Sequence, residues 1–288
     1  MDFVTRRLLK SDIPAIIELT KKTWGGHDHL PLIIGSWLTN RQCHPMVLEL
    51  KGEVVAVANL KAIDNELTGW MEGLRVHPKV REKGLAKYMT NQIVETASEI
   101  GFKRIRLVTA TENPAPRKLA LSVGMNIIDK YSIFWKRYGR GIKWIKDDES
   151  ISRIDRSLVL GFIKSNPELF PTNSLVHHWD VFEANQENIS LISEEATFFI
   201  SNSVHGRGLS WGFKHDTRQG SEWCFSVYAS SPDVFESTLH FHLKQAREHD
   251  LKDMLCIHQP EFNESYSKVK WLKRRGHEIG LLLFERVL

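Results

Sequence analysis

The chain has 288 residues, 42% of them hydrophobic and 26% charged, with a formal net charge of +4. That length can bury one large core or two smaller ones. No apolar run approaches the length a membrane-spanning helix needs. Lys and Arg are dispersed rather than gathered in a stripe, which argues against a dedicated nucleic-acid surface. Met1-Asp2-Phe3-Val4-Thr5-Arg6-Arg7 lacks a signal-peptide core. Cys43, Cys224 and Cys256 are too scattered for a disulfide framework or a zinc cluster. The expectation is a cytoplasmic protein with reduced thiols and no membrane or nucleic-acid partner.

In chain order, residues 3–9 read as a first strand. Ser11-Asp12-Ile13-Pro14 reads as a helix start, with a capping residue followed by proline in the first turn. Two short helices then flank a loop at Trp24-Gly25-Gly26-His27-Asp28. Residues 46–50 and 53–62 alternate about Lys51-Gly52 and predict a hairpin. Residues 70–76 form a largely apolar strand that stops at His77-Pro78. Leu85, Tyr88, Met89, Ile93, Ala97 and Ile100 recur at helical spacing, and Gly101 supplies a left-handed stop. A strand at 104–111 follows, then a short helix from Asn113-Pro114-Ala115 to Ser122, Gly124-Met125, and a strand at 127–135.

Between the strand at 70–76 and the long helix lies Arg81-Glu82-Lys83-Gly84-Leu85-Ala86. Unpaired N–H groups and the positive dipole end converge at a helix N-terminus, and Gly84 lets the backbone approach a phosphate closely. Ala86 keeps that approach open. A tight turn before a surface helix, with Arg81 and Lys83 merely solvated, is the alternative reading of the same residues.

With its neighbouring elements, this stretch makes residues 3 to about 137 resemble the Gcn5-related N-acetyltransferase (GNAT) superfamily. The acetyl-CoA loop of that family reads Arg/Gln-x-x-Gly-x-Gly/Ala, met here by Arg81, Gly84 and Ala86. A later family pattern is met at Asn113, Leu119 and Gly124, but Pro116 stands where alanine is usual and Met125 replaces a phenylalanine. Ala120 occupies the place of the tyrosine that often protonates the leaving thiolate. The Trp24–Pro31 and Glu72–Pro78 stretches, with Trp37-Leu38, are similar to the histidine N-acetyltransferase subgroup. The resemblance implies an α/β fold with a mixed sheet, and acetyl-CoA as co-substrate bound by residues 81–86, Leu74, Val76 and Asn113.

Strict alternation along 70–76 would put Trp70, Glu72, Leu74 and Val76 on one side and Arg75 on the other. Glu72 is the candidate base, assisted by Asn113. Its alternative is an ion pair with a lysine or arginine. Arg75 could meet a substrate carboxylate or another acid, and Asn113 could simply cap its helix. Trp24, His27 and Asp28, with Glu72, are the candidate substrate contacts, although Asp28 could instead cap the helix containing Pro31.

The polar segment 139–156 is expected to connect a catalytic domain, 1–138, to a second domain, 157–288. In the latter, strand-like 223–229, helical 232–249, strand-like 253–258, helical 260–275 and a strand at 278–287 repeat the order of the first domain's C-terminal half. Asn263 and Gly276 echo Asn113 and Gly124, but Ser230-Ser231-Pro232-Asp233 holds no glycine loop. A degenerate GNAT-like domain is expected. No metal is expected: His177-His178 and His240-x-His242 lack a cysteine or acid at ligand spacing, and packing beside Trp179 and Phe241 explains them. The functional expectation is acetyl transfer to a small amine or amino acid, histidine among them. The alternatives are a protein or peptide acceptor, or a non-catalytic acyl-CoA sensor.

Overall fold

The computed structural model describes residues 3–80, 84–137, 150–217, 220–268 and 279–288. The expected connection at 139–156 lies mostly outside them. The chain divides into two compact units, the first comprising 1–107, 113–127 and 284–288, the second 108–112 and 128–283.

The first unit begins with β1 (Phe3–Arg7), α1 (Ile13–Thr20) and α2 (Leu30–Thr39). Pro14 sits in the first turn of α1, but Asp12 does not cap that helix. Its carboxylate instead takes a bidentate pair from Arg6, at 2.7 and 2.9 Å, and the Leu9 N–H at 2.8 Å. Next come β2 (Met46–Leu50), β3 (Glu53–Ile63) and β4 (Thr68–Val76). Lys51 and Gly52 both take positive φ, 53° and 82°, so the β2–β3 hairpin closes on a two-residue turn whose twist matches its strands. Then follow α3 (Leu85–Ile100), β5 (Arg104–Ala110) and α4 (Pro114–Ser122). Leu85, Met89, Ile93 and Ala97 form the buried stripe of α3, which packs on β3 and β4. The helix stops at Gly101 (φ 97°), where the Gly101 and Phe102 N–H groups both reach the Ala97 carbonyl.

In this unit β1, β2, β3 and β4 pair antiparallel in that order, and β4 pairs parallel with β5. That last ladder ends at Trp70 and Arg106, although β4 runs on to Val76. Leu8, Ile16, Leu30, Ile34, Trp37, Cys43, Val47 and Val57 form a core between α1, α2 and the sheet.

The strict alternation expected for 70–76 is not kept. Asn59 pairs with Glu72 and Val57 with Arg75, so Gly73 and Leu74 together oppose Ala58 in a β-bulge. Gly73 has φ 67° and lies under the Trp37 ring: a β-carbon there would stand 2.3 Å from the indole Cη2. Because of the extra residue, Arg75 shares the face of Glu72 and Val76 turns to the other. That shared face also carries Val57 and looks toward α1 and α2.

The second unit contains most of β6 (Asn126–Arg137), then β7 (Ile151–Arg153), α5 (Arg156–Ser165), β8 (Ser174–His177), β9 (Asp180–Glu183) and α6 (Gln186–Ile192). After these come β10 (Thr197–Ser203), β11 (Gly206–Thr217), β12 (Gly220–Ala229), α7 (Pro232–Glu248), β13 (Asp253–His258), α8 (Asn263–Lys268) and the first part of β14 (Ile279–Val287), whose end belongs to the first unit. Helices α5, α6 and α7 start on side-chain caps: Asp155 accepts from Ser157 N, Asn185 from Asn188 N, and Ser231 from Val234 N. Strands β10, β11 and β12 pair antiparallel, β12 and β13 parallel, and β13 antiparallel with β6. An aromatic core of Phe134, Trp223, Phe225, Phe235 and Phe262 fills the space under α7. The expected strand at 223–229, helix at 232–249 and strand at 253–258 are all present. The expected helix at 260–275 is described only as a 3-10 turn and α8, and its later residues lie outside the described ones.

All three cysteines are free and buried. Among the described residues no helix is long and apolar enough to cross a membrane.

Candidate active site

Glu72 is half-buried, immediately before the bulge in β4. Asn59 stands directly opposite on β3, fully buried, and donates through Nδ2 to Glu72 Oε1 at 2.7 Å. A neutral amide donor fixes the carboxylate's orientation without adding a charge beside it. Cys43 is the third neighbour. Burial pushes its thiol above the ordinary range, with the Asn59 amide partly offsetting, so it is a packing residue rather than a nucleophile.

Asp28 and Arg75 are also brought together. Arg75 Nε and Nη2 donate to the two Asp28 carboxylate oxygens at 2.7 and 3.0 Å, and Nη1 donates to the Leu74 carbonyl at 3.0 Å. Side-chain exposure is 2% for Asp28 and 14% for Arg75. Burial pushes the Asp28 carboxyl up, but the Arg75 guanidinium and the Leu30 N–H outweigh it and hold it below the ordinary carboxylate range. The Leu30 bond, 3.0 Å, ties Asp28 to the start of α2. Each nitrogen of the guanidinium is therefore engaged within the protein, and the pair braces the α1–α2 loop against the bulge.

The backbone at Trp24 lies in the 3-10 turn Thr23–Gly26; its side chain lies outside the described residues. His27 is exposed. Arg81, Glu82 and Lys83 also lie outside. Gly84 is described: it is the N-cap residue of α3 with φ 76°, and a β-carbon on it would meet nothing within 4 Å. Leu85 is buried behind it, and Ala86 is half-buried. Asn113 takes the N-cap position of α4 in extended backbone, without a side-chain capping bond. Ala120 is buried in the same helix at 1% exposure, so that position offers no proton donor. His77 accepts from the Lys79 N–H through Nδ1 at 3.2 Å, closing the turn after β4.

The site thus combines a bulged strand bearing a half-buried carboxylate, a parallel neighbour whose ladder stops short, and a glycine-led long helix. Residues 13–125 match the family model described as the acetyltransferase (GNAT) family. Over this segment the chain is similar to the GNAT acetyltransferases.

Among curated relatives, 77 residues are 35% identical to a histidine N-acetyltransferase of Scomber australasicus, a match over 27% of this chain and 23% of that protein. The chain thus spans about a quarter of that relative's length. A GCN5-related N-acetyltransferase of Sphaerobacter thermophilus superposes with a TM-score of 0.65 at 11% identity, over 99% of this chain and 95% of that one. A tandem GNAT protein from the clavulanic acid biosynthesis pathway superposes at 0.61 and 11% identity, over 99% and 98%. These are likenesses of fold, and with two GNAT-like α/β units in one chain the expected fold class is met.

Proposed function

We propose that this chain transfers acetyl directly from acetyl-CoA to the amine of a small molecule or amino acid, with Glu72 as general base. The observation that carries the reading is the Asn59–Glu72 pair at the β4 bulge. It is a carboxylate oriented by a buried amide, on the face toward the α1–α2 loop, next to the point where the β4–β5 ladder stops. In this reading the Gly84–Ala86 turn, with Arg81, Glu82 and Lys83, holds the pyrophosphate at the N-terminus of α3. Backbone groups of Leu74 and Val76 hold the pantetheine arm and the thioester carbonyl, and Asn113 assists from the start of α4.

Glu72 takes a proton from the ammonium or attacking amine, directly or through a water. The nitrogen attacks the thioester carbon, and the tetrahedral oxyanion collapses as the C–S bond breaks. Coenzyme A thiolate leaves and takes up a proton from solvent, since Ala120 offers none. Histidine is the acceptor that the name of the fish relative suggests. Because Arg75 is committed to Asp28, recognition of an amino-acid carboxylate falls to other groups. The buried free cysteines fit a reducing, cytoplasmic setting.

The test is acetyl-CoA-dependent thiol release over a panel of amino acids, polyamines and short peptides, with Glu72→Gln beside the unaltered chain. Release with a free amino acid that collapses in the variant supports the reading. Release only with peptides would move the acceptor to a protein N-terminus or lysine. The buried Ala120 favours one other reading, a non-catalytic acyl-CoA sensor, and binding of acetyl-CoA without thiol release by any acceptor would establish it.

A further inference from the structure

Away from Glu72, the second unit gathers three metal-ligating side chains from two separate hairpins. His215 of β11 and Glu222 of β12 stand directly opposite each other in the antiparallel ladder, so their side chains leave the same face. His178 comes from the two-residue turn between β8 and β9, where His177 pairs with Asp180. Its ring centroid lies 4.3 Å from that of His215. One ligand atom from each of His178, His215 and Glu222 lies within 4.8 Å of the other two, and all three residues are half-buried.

Two further observations bear on this group. His178 has φ 55°, a left-handed conformation that costs a residue with a β-carbon and is ordinary for glycine at such a turn. Glycine would take this conformation without that cost. Its neighbour His177 is already committed: the Trp211 indole donates to Nδ1 at 3.2 Å, which leaves the ring proton on Nε2 to meet Glu195 Oε1 at 2.5 Å. That bond ties down the last residue of β8, directly before the turn that carries His178.

We propose that His178, His215 and Glu222 bind a divalent transition metal of the zinc class, which clips the β8–β9 turn to the β11–β12 hairpin. Two imidazoles and one carboxylate suit zinc rather than calcium or magnesium, which take oxygen ligands. Bonds of about 2.0–2.2 Å in a tetrahedron set ligand atoms roughly 3.3–3.6 Å apart, so side-chain movements of about 1 Å close the set. The fourth position is left for water. Sequence spacing did not reveal the site, because both His215 and Glu222 lie on distant strands rather than beside His178.

The experiment uses the full chain, purified without a histidine tag and stripped with a chelator, then titrated with zinc chloride and measured calorimetrically and by elemental analysis after desalting. The expected result is about one zinc per chain, with cobalt(II) giving the absorption of a tetrahedral nitrogen–oxygen site. His178→Gly and Glu222→Gln should each weaken zinc binding by about tenfold or more. Glycine suits the backbone at 178, so the first variant should fold at least as well as the unaltered chain, and its loss of zinc then reports the ligand rather than the fold. Failure of the unaltered chain to retain zinc, or retention undiminished by either variant, would overturn the proposal.

Discussion

Asp28→Asn tests whether the charged residues beside the bulge brace the fold or recognise the substrate. The variant keeps an acceptor for the Leu30 N–H and nearly the same shape, but removes the charge that Asp28 sets against the Arg75 guanidinium, 14% exposed. Removing one partner of a buried ion pair costs about 3–5 kcal/mol, against about 0–1 kcal/mol for an exposed pair. With Asp28 at 2% and Arg75 half-buried at 14%, this pair lies nearer the buried case than the exposed one. Arg75→Met should cost a similar amount, and the double variant should be little worse than either single one, giving a coupling of about 3 kcal/mol.

The coupling has a definite pH dependence. Asp28 is held below its ordinary pKa in the folded state, so the folded chain releases this proton more readily than the unfolded one. Its contribution is therefore fully present above the unfolded value of about 3.9 and is lost as pH falls further, through the lower folded value. Urea unfolding of the four chains at pH 7 and in acid, with hydrogen exchange read on peptides of α1 and α2, measures both quantities. A cost below about 1 kcal/mol, joined to a tenfold rise in KM for the amine, would refute the brace and make Asp28 a substrate contact.

Three further outcomes follow from other parts of the molecule. Glu72→Gln should lower kcat for thiol release by about 10²–10⁴ while leaving acetyl-CoA affinity within a few-fold, and a smaller fall would remove Glu72 as base. Gly73→Ala should destabilise the first unit by at least about 2 kcal/mol in urea, because a β-carbon meets the Trp37 ring at 2.3 Å on a backbone at φ 67°. Adding Trp37→Leu should recover part of that loss, and no recovery would separate the strain from the indole. In the second unit, burial pushes the His242 imidazole down to about 3, and its Nδ1 accepts from the Trp223 indole at 3.1 Å. The unfolded chain protonates this group first, so stability falls as pH drops below about 6.5, by about 2 kcal/mol at pH 5. His242→Gln, which keeps an acceptor but does not titrate, should flatten that decline, as pH-dependent urea midpoints would record.

The parts of the fold legible in the sequence are those whose signals are local. The stripe through Leu85, Met89, Ile93 and Ala97 with Gly101 behind it sets α3, and Lys51-Gly52 sets the hairpin turn. Ser231-Pro232 marks the start of α7 in the same way, by a cap and a first-turn proline. The segment from β7 to β11 carried no comparable signal: several of its strands have only three or four residues, too short for a period to declare itself. The bulge did leave a mark, a glycine inside a strand pattern, which is the ordinary sign of a bulge or of a close approach. Here it is both, and overlooking it assigned Arg75 to the wrong face.

Asn59 also left a trace, as the single polar residue within Val54-Val55-Ala56-Val57-Ala58-Asn59-Leu60. A polar side chain in such a run needs a partner once buried, but which partner depends on the register of β3 against β4, and the bulge alters that register. Asp28 and Arg75 present the harder case, being separated by 47 positions and joined only when the α1–α2 loop folds back over β4. A carboxylate and a guanidinium near a cleft have the same appearance in a sequence whether they grip a ligand or each other. The distinction lies in desolvation: a pair buried together must satisfy itself, and an acid whose two oxygens already accept from Arg75 and Leu30 has little capacity left for a substrate amine. On that ground the proposed reading leaves recognition of the amine to Glu72 and the residues around it, with Asp28 setting the position of the α1–α2 loop.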